Sequence, residues 1–166
     1  MARRLRPVEL DFSDTAPVRL SFTAQLTAGP EAVYVALAED VENWPRWFTA
    51  VTSATPTGGG RGRDMRLKGG GFFSETIMAA HAPQRYAYRM DTTNAPGMRA
   101  MLEDWRLTPT ASGGTGVRWT MAADGTAALR LAMRLARPAV GRAFRDAMRN
   151  LDHRLAPARA PSRGAE

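Results

Sequence analysis

The sequence contains no cysteine. Disulfides, thiolate metal sites and a cysteine nucleophile are thereby excluded, and a reducing, cytoplasmic setting is the expectation. Histidine is almost as scarce, with only His81 and His153. Transition-metal sites draw on imidazole and thiolate, so no metal and no other cofactor is expected. His81 ends a strand just before Pro83, and His153 lies near the end of a helix. Edge or surface placement is the plain reading of both, which argues against a Ser-His-Asp arrangement. Phosphate-loop and His-Glu-x-x-His motifs are missing; the glycine runs at 58–60 and 69–71 precede no Gly-Lys pair and read as turns. Long apolar runs are lacking too, since arginine or glycine breaks each one within a few residues, and none is long enough to span a bilayer. The first residues carry Arg3, Arg4 and Arg6 but no apolar segment, so they do not form a signal peptide. Lysine occurs once, at Lys68; every other basic side chain is arginine.

What is present fits one domain: 166 residues can bury a sizeable core without cross-links. The formal charge of +7 is concentrated at the C-terminal end. Residues 127–166 hold nine arginines against Asp146, Asp152 and Glu166. The arginine preference, with abundant alanine and glycine, matches a GC-rich coding background, so the charge does not point to a nucleic-acid partner.

Residues 1–16 read as a flexible arm of mixed charge. From Val18 to Leu26, Leu20, Phe22, Ala24 and Leu26 alternate with polar residues, the period of a half-buried strand. Pro30 suits the first turn of a helix and Glu31 suits its positive end. A helix is predicted from Glu31 to Asp40, with Val33, Leu37 and Val41 on one face. Pro45 holds Trp44 extended or in a turn, and a second short helix or turn follows at Trp47 and Phe48. A meander of strands is predicted between Val51 and Ala123, with turn signals every 8–12 residues. The final element, Ala127 to Leu155, carries an apolar stripe at steps of three and four: Leu129, Met133, Ala136, Val140, Phe144, Met148, Leu151 and Leu155. Pro138 should kink or split this helix near Arg137. Residues 17–156 form the domain, and 157–166 read as a disordered tail.

The order of one strand, two short helices, a meander and one long final helix resembles the START-like, or SRPBCC, superfamily. The local match lies in Pro30-Glu-Ala-Val-Tyr-Val-Ala-Leu37, in Asp40-Val-Glu-Asn-Trp-Pro-Arg-Trp47, and in Trp105-Arg-Leu-Thr-Pro109 with Gly113-Gly-Thr-Gly-Val-Arg-Trp119. The resemblance covers about Val18 to Leu155. It implies an α+β helix-grip fold, in which a curved antiparallel sheet of six to seven strands wraps round the C-terminal helix. It is specific for fold and weak for function, because binding proteins, carriers and polyketide cyclases share the scaffold.

Strand faces supply the candidate site. Met101, Glu103, Trp105 and Leu107 share one face, and the apolar members mark it as buried. Glu103 then points to the concave side, and by the same logic Glu75 goes with Ile77 and Ala79. A bulge or a one-residue slip would turn either carboxylate outward. A carboxyl among apolar neighbours pairs or has its pKa raised, and it can orient a ligand or move protons. Arg66 and Arg118 are partners only from the same side, and alternation puts Arg118 outside. Tyr86, Tyr88, Trp105 and Trp119 should face inward, either as plain core or as cavity wall. Trp47 and Phe48 suit the rim, and Met65, Met90, Met101 and Met133 suit adaptable apolar contacts. A strongly bent sheet and one helix leave a void between them, and the small Ala24, Ala79 and Ala136 add room.

The first reading is a protein that binds or carries a hydrophobic small molecule, such as a lipid, isoprenoid or polyketide. The alternative implied by the resemblance is a cofactor-independent cyclase or aromatase in which Glu103, Tyr88 or His81 moves protons. A domain whose final helix docks on another protein is the third. Arg130, Arg134 and Arg137, with Leu131 and Leu135 beside them, form a basic, partly apolar helix face. Such a face is usually solvated, and it also suits peripheral contact with an anionic membrane. Nucleic acid is not expected, because no exposed aromatics accompany the charge.

Overall fold

A computed structural model describes residues 2–156; the tail predicted for 157–166 lies outside the described residues. Seven antiparallel strands follow one another in the spatial order β2-β8-β7-β6-β5-β4-β3. They are β2 (Val18–Leu26), β3 (Val51–Thr57), β4 (Gly62–Leu67), β5 (Phe72–His81), β6 (Arg85–Thr93), β7 (Met98–Pro109) and β8 (Thr115–Gly125). A two-residue strand, β1 (Arg3–Arg4), adds to β6. The helix-grip arrangement is thus observed: the sheet wraps α3 (Ala127–Leu155), and short helical segments follow β2. These are α2 (Pro30–Tyr34), one wide π-turn (Val35–Glu39) and a 3-10 segment (Val41–Arg46).

The start of α3 is set by a close backbone crossing. The Thr126 amide donates to the Gly97 carbonyl at 2.9 Å, and the Thr126 hydroxyl accepts from the Leu129 amide as an N-cap. A Cβ on Gly125 would lie 2.6 Å from the Gly97 oxygen, so the crossing needs glycine there. The far end of α3 is tied down by side chains. Asp152 accepts from the amides of Thr27 at 2.8 Å and Ala28 at 3.1 Å. Asn150 donates to the Trp47 carbonyl at 3.1 Å. Phe144, fully buried, stacks against Trp119 with ring centroids 5.7 Å apart. Apolar burial and these aromatic contacts hold the second half of the helix to the sheet.

The first half of α3 behaves differently. Only Leu129, Arg130 and Met133 are even half-buried between residues 127 and 139. Pro138 lies in this exposed stretch and does not split the helix as the sequence predicted. Pro138 leaves one helical carbonyl without its N–H partner, and on an exposed stretch that loss costs less than it would in a core.

The N-terminal segment is not the flexible arm expected from its charge. Its α1 (Phe12–Thr15) and the chain before it lie on the convex face of the sheet. Val8, Phe12 and Ala16 bury a second, smaller apolar cluster with Ala100, Leu102 and Ala122. The backbone is fastened as well, Leu5 N–H to Asp91 O and Arg6 N–H to Arg99 O, each 2.8 Å. The middle of β7 is therefore buried on both faces.

Candidate functional site

Register decides what faces the concave side. Glu75 pairs with Met90, Ile77 with Tyr88, and Tyr88 with Glu103. Tyr86 pairs with Trp105, and Trp105 with Trp119. Directly paired residues share a face, so Glu75, Tyr88, Glu103 and the two tryptophans converge on the interior. Ala79 does not join them. The register shifts between Ile77 and Ala79, so Ala79 pairs with Ala87 and turns to the convex side. Ala136 is exposed on α3, so neither alanine makes room inside.

A cavity of about 210 Å³ lies between the sheet and α3. Of the residues singled out in the sequence, Phe48, Met65, Glu75, Tyr88, Met90, Met101, Glu103 and Trp119 line it. Five do not. Tyr86, Trp47 and Trp105 are buried behind the wall, and Ile77 and Met133 are half-buried beside it. Trp105 still acts on the site by donating its indole N–H to the Tyr88 oxygen at 3.0 Å. Trp44, Phe73, Met121, Val140 and Ala143 also line the cavity and were not anticipated. His81 and His153 are both exposed and stand apart from it.

Two polar constellations sit in this apolar surface. In the first, the Tyr88 hydroxyl and the Trp119 indole N–H both donate to Glu103 Oε2, at 2.5 and 3.0 Å. Burial pushes the Glu103 carboxyl above the usual range, against the pull of those two donors. Burial, then the adjacent Glu103, raises Tyr88 well above an ordinary phenol. At neutral pH the pair therefore holds at least one proton in a short hydrogen bond facing the cavity.

The second constellation was missed. Arg63 is 1% exposed. Its Nε donates to Glu75 Oε2 at 2.5 Å, across the β4–β5 register that pairs the two residues. The guanidinium carbon lies 4.1 Å from the Trp44 ring centroid and 4.0 Å from that of Tyr88. Burial opposes the guanidinium charge, but Glu75, Tyr88 and Tyr86 outweigh it and keep Arg63 protonated. Burial pushes Glu75 up to about 7, more than Arg63 pulls it down. The alternation Arg63, Met65, Leu67 on β4 was the available signal. Arg66, weighed instead, is exposed beside Phe72, and Arg118 faces outward as expected.

A wider groove of about 840 Å³ runs over the convex side among Ser13, Asp14, Arg19, Arg106, Arg118 and Arg134. It is polar and open to solvent, so it lacks the shelter that a small apolar ligand or a proton transfer needs. Among the described residues, no group of three His, Asp or Glu side chains gathers as a metal centre would. Nor is any described helix long and apolar enough to cross a membrane.

Comparison with known proteins agrees with the fold. Residues 17–156 match the family described as polyketide cyclase/dehydrase and lipid transport. An uncharacterized protein of Mycobacterium tuberculosis is 33% identical over 149 residues, covering 87% of this chain and 88% of its own length. Among solved structures, the di-domain aromatase/cyclase BexL from the BE-7585A biosynthetic pathway superposes with a TM-score of 0.71 at 17% identity; the match covers 84% of this chain and 48% of that one. A START superfamily protein from Mycobacterium smegmatis gives 0.65 at 11% identity, covering 82% and 96%. Identities this low speak for the fold alone.

Proposed function

The chain belongs to the polyketide cyclase/dehydrase and lipid transport family, and from that premise we propose that it binds or carries one small hydrophobic molecule between the sheet and α3. The observation that supports this most directly is the cavity, apolar on most of its wall and polar only at Arg63–Glu75 and Tyr88–Glu103. That is the usual make-up of a small-molecule site, with apolar walls for affinity and a few polar groups for orientation. Its size limits the occupant. A dry apolar cavity of about 150 Å³ takes benzene, so 210 Å³ suits one or two fused rings or a short isoprenoid. A two-tailed lipid would require α3 to move away.

Native mass spectrometry of the purified protein, followed by denaturing extraction, is the direct test. One discrete added mass, released on denaturation, supports the reading. An apo mass that survives incubation with a panel of small apolar compounds overturns it.

A second reading is proton chemistry of the cyclase or aromatase kind, favoured by the hydrogen-bonded Tyr88 and Glu103 facing the cavity. Glu103 is the group to accept or deliver a proton at a ligand carbon, and Tyr88 the one to hold a ligand oxygen. Glu103→Gln separates the readings. Binding kept with turnover of a small polyketone lost supports the enzyme; identical behaviour of both proteins leaves the carrier.

Peripheral contact with anionic lipid remains a proposal for the start of α3. It is supported by Leu131 and Leu135, 56% and 72% exposed. Two of the nearby arginines are partly engaged: Arg134 donates to the Pro17 carbonyl, and Arg137 lies over the Phe22 ring.

A further inference from the structure

Arg63 is buried and charged, yet only its Nε is used. Nη1 and Nη2 are both buried and have no hydrogen-bond partner among the described residues. A guanidinium is a fixed fork of N–H donors, and leaving part of it dry is costly. The fork has little freedom to seek another partner. Glu75 holds Nε, and the rings of Trp44 and Tyr88 lie about 4 Å from its carbon. Trp44, Arg63, Glu75 and Tyr88 all line the cavity, but both Nη atoms are closed off from the void itself, so a ligand reaches them only by displacing a lining side chain. The remaining edge of the fork, Nη1 and Nη2, has the spacing that receives two oxygens of one carboxylate.

We propose that the cavity selects a one- or two-ring hydrophobic carboxylate, with its oxygens on Nη1 and Nη2 of Arg63 and its ring body against Phe48, Met65, Met90 and Met121. This rests on the reading of the cavity as a small-molecule site. The charges agree with it. Burial pushes Glu75 up to about 7, so near neutral pH the carboxylate beside Arg63 is only partly ionised and the site keeps a positive excess. An apolar molecule without an acceptor would fill the volume but leave both Nη groups dry. It is therefore a poorer ligand by about 10- to 100-fold, the ratio expected for one buried hydrogen bond to a charged group.

The test is calorimetric titration of the whole protein with matched probes: benzoate against toluene, cyclohexanecarboxylate against methylcyclohexane, and 2-naphthoate against 2-methylnaphthalene. The expected result is that at least one acid binds about 10- to 100-fold tighter than its methyl counterpart. In the charge-neutral pair Arg63→Met with Glu75→Gln, that preference should vanish while the hydrocarbon still binds. Arg63→Lys, which keeps charge but loses the fork, should give an intermediate preference. Equal binding of acid and hydrocarbon by the unaltered protein overturns the proposal and leaves the cavity reading intact. So does an undiminished acid preference in the double variant. If no probe of either kind binds, the cavity reading falls and the proposal with it.

Discussion

Tyr88 donates its hydroxyl to Glu103 Oε2 at 2.5 Å, straight across the register that joins β6 to β7. Each residue depends on a tryptophan as well, Tyr88 accepting from Trp105 and Glu103 from Trp119. Four side chains from three adjacent strands thus form one linear chain of three hydrogen bonds at the cavity wall.

Removing the Tyr88 hydroxyl breaks that chain in two places. Tyr88→Phe leaves the Trp105 indole N–H without an acceptor and takes one of two donors from Glu103. A loss of about 1–3 kcal/mol is expected, the range for stranding a buried polar group. Urea denaturation monitored by circular dichroism measures it. A variant as stable as the unaltered protein would show that the hydrogen bonds are not held in solution.

Glu75 makes stability depend on pH. Its carboxyl is raised by burial from an ordinary 4.5 to about 7 in the folded chain, so folding favours the protonated form. That contribution is fully present below about pH 4.5 and is lost as pH climbs through about 7. The gap corresponds to about 3 kcal/mol at most. Chemical denaturation of the unaltered protein and of Glu75→Gln, between pH 4.5 and 8, isolates it. The difference should move in favour of Glu75→Gln as pH rises. A difference that is flat, or moves the other way, would mean that Arg63 keeps Glu75 ionised throughout.

Filling the cavity should abolish uptake without unfolding the protein. Ala143 faces the cavity from α3, and Ala143→Phe places a ring in that space. Stability should fall by no more than about 1–3 kcal/mol, the usual cost of an inserted large side chain. Binding of any small probe, followed through tryptophan fluorescence, should disappear. Unchanged binding would locate the ligand elsewhere.

Phe144 is the anchor of α3. It packs on Phe22, Trp105 and Trp119 with centroid distances of 5.9, 6.1 and 5.7 Å. Phe144→Ala should cost about 3–5 kcal/mol, read as a lower denaturation midpoint at constant slope. A smaller loss would imply that neighbouring rings collapse into the gap.

Membrane contact at the start of α3 is tested by sedimentation with vesicles. Binding to phosphatidylglycerol vesicles, weakened by salt and by Leu131→Asp with Leu135→Asp, is the expected outcome. No binding at low salt ends the idea.

Much of the fold was legible in advance, and for a local reason. Alternation along β2, β6, β7 and β8 marked the strands, glycine runs marked the turns, and the stripe ending in Met148, Leu151 and Leu155 marked α3. The same alternation placed Glu103, Trp105 and Trp119 on one face. It worked because side-chain direction in a strand follows from position alone wherever no residue is inserted. Ala79 was misplaced because Met78 is such an insertion, and a bulge depends on the partner strand.

Other features belong to distances that a linear reading does not contain. The N-terminal segment looked like a mobile arm because its apolar residues are few and its charges many. It is held in place because Ala100, Leu102 and Ala122 present an apolar patch on the convex side for Val8 and Phe12 to cover. Arginine 63 lay within reach of the alternation argument, yet a lone arginine in an exposed strand looks the same on paper. Its pairing with Glu75, its sandwich between Trp44 and Tyr88, and the two bare Nη groups come from four separate parts of the chain brought together. Local periodicity thus decided which elements form and which way most side chains point. Burial and register, which exist only once the sheet has closed on α3, decided which of them meet, and so where a charge could be stored without water.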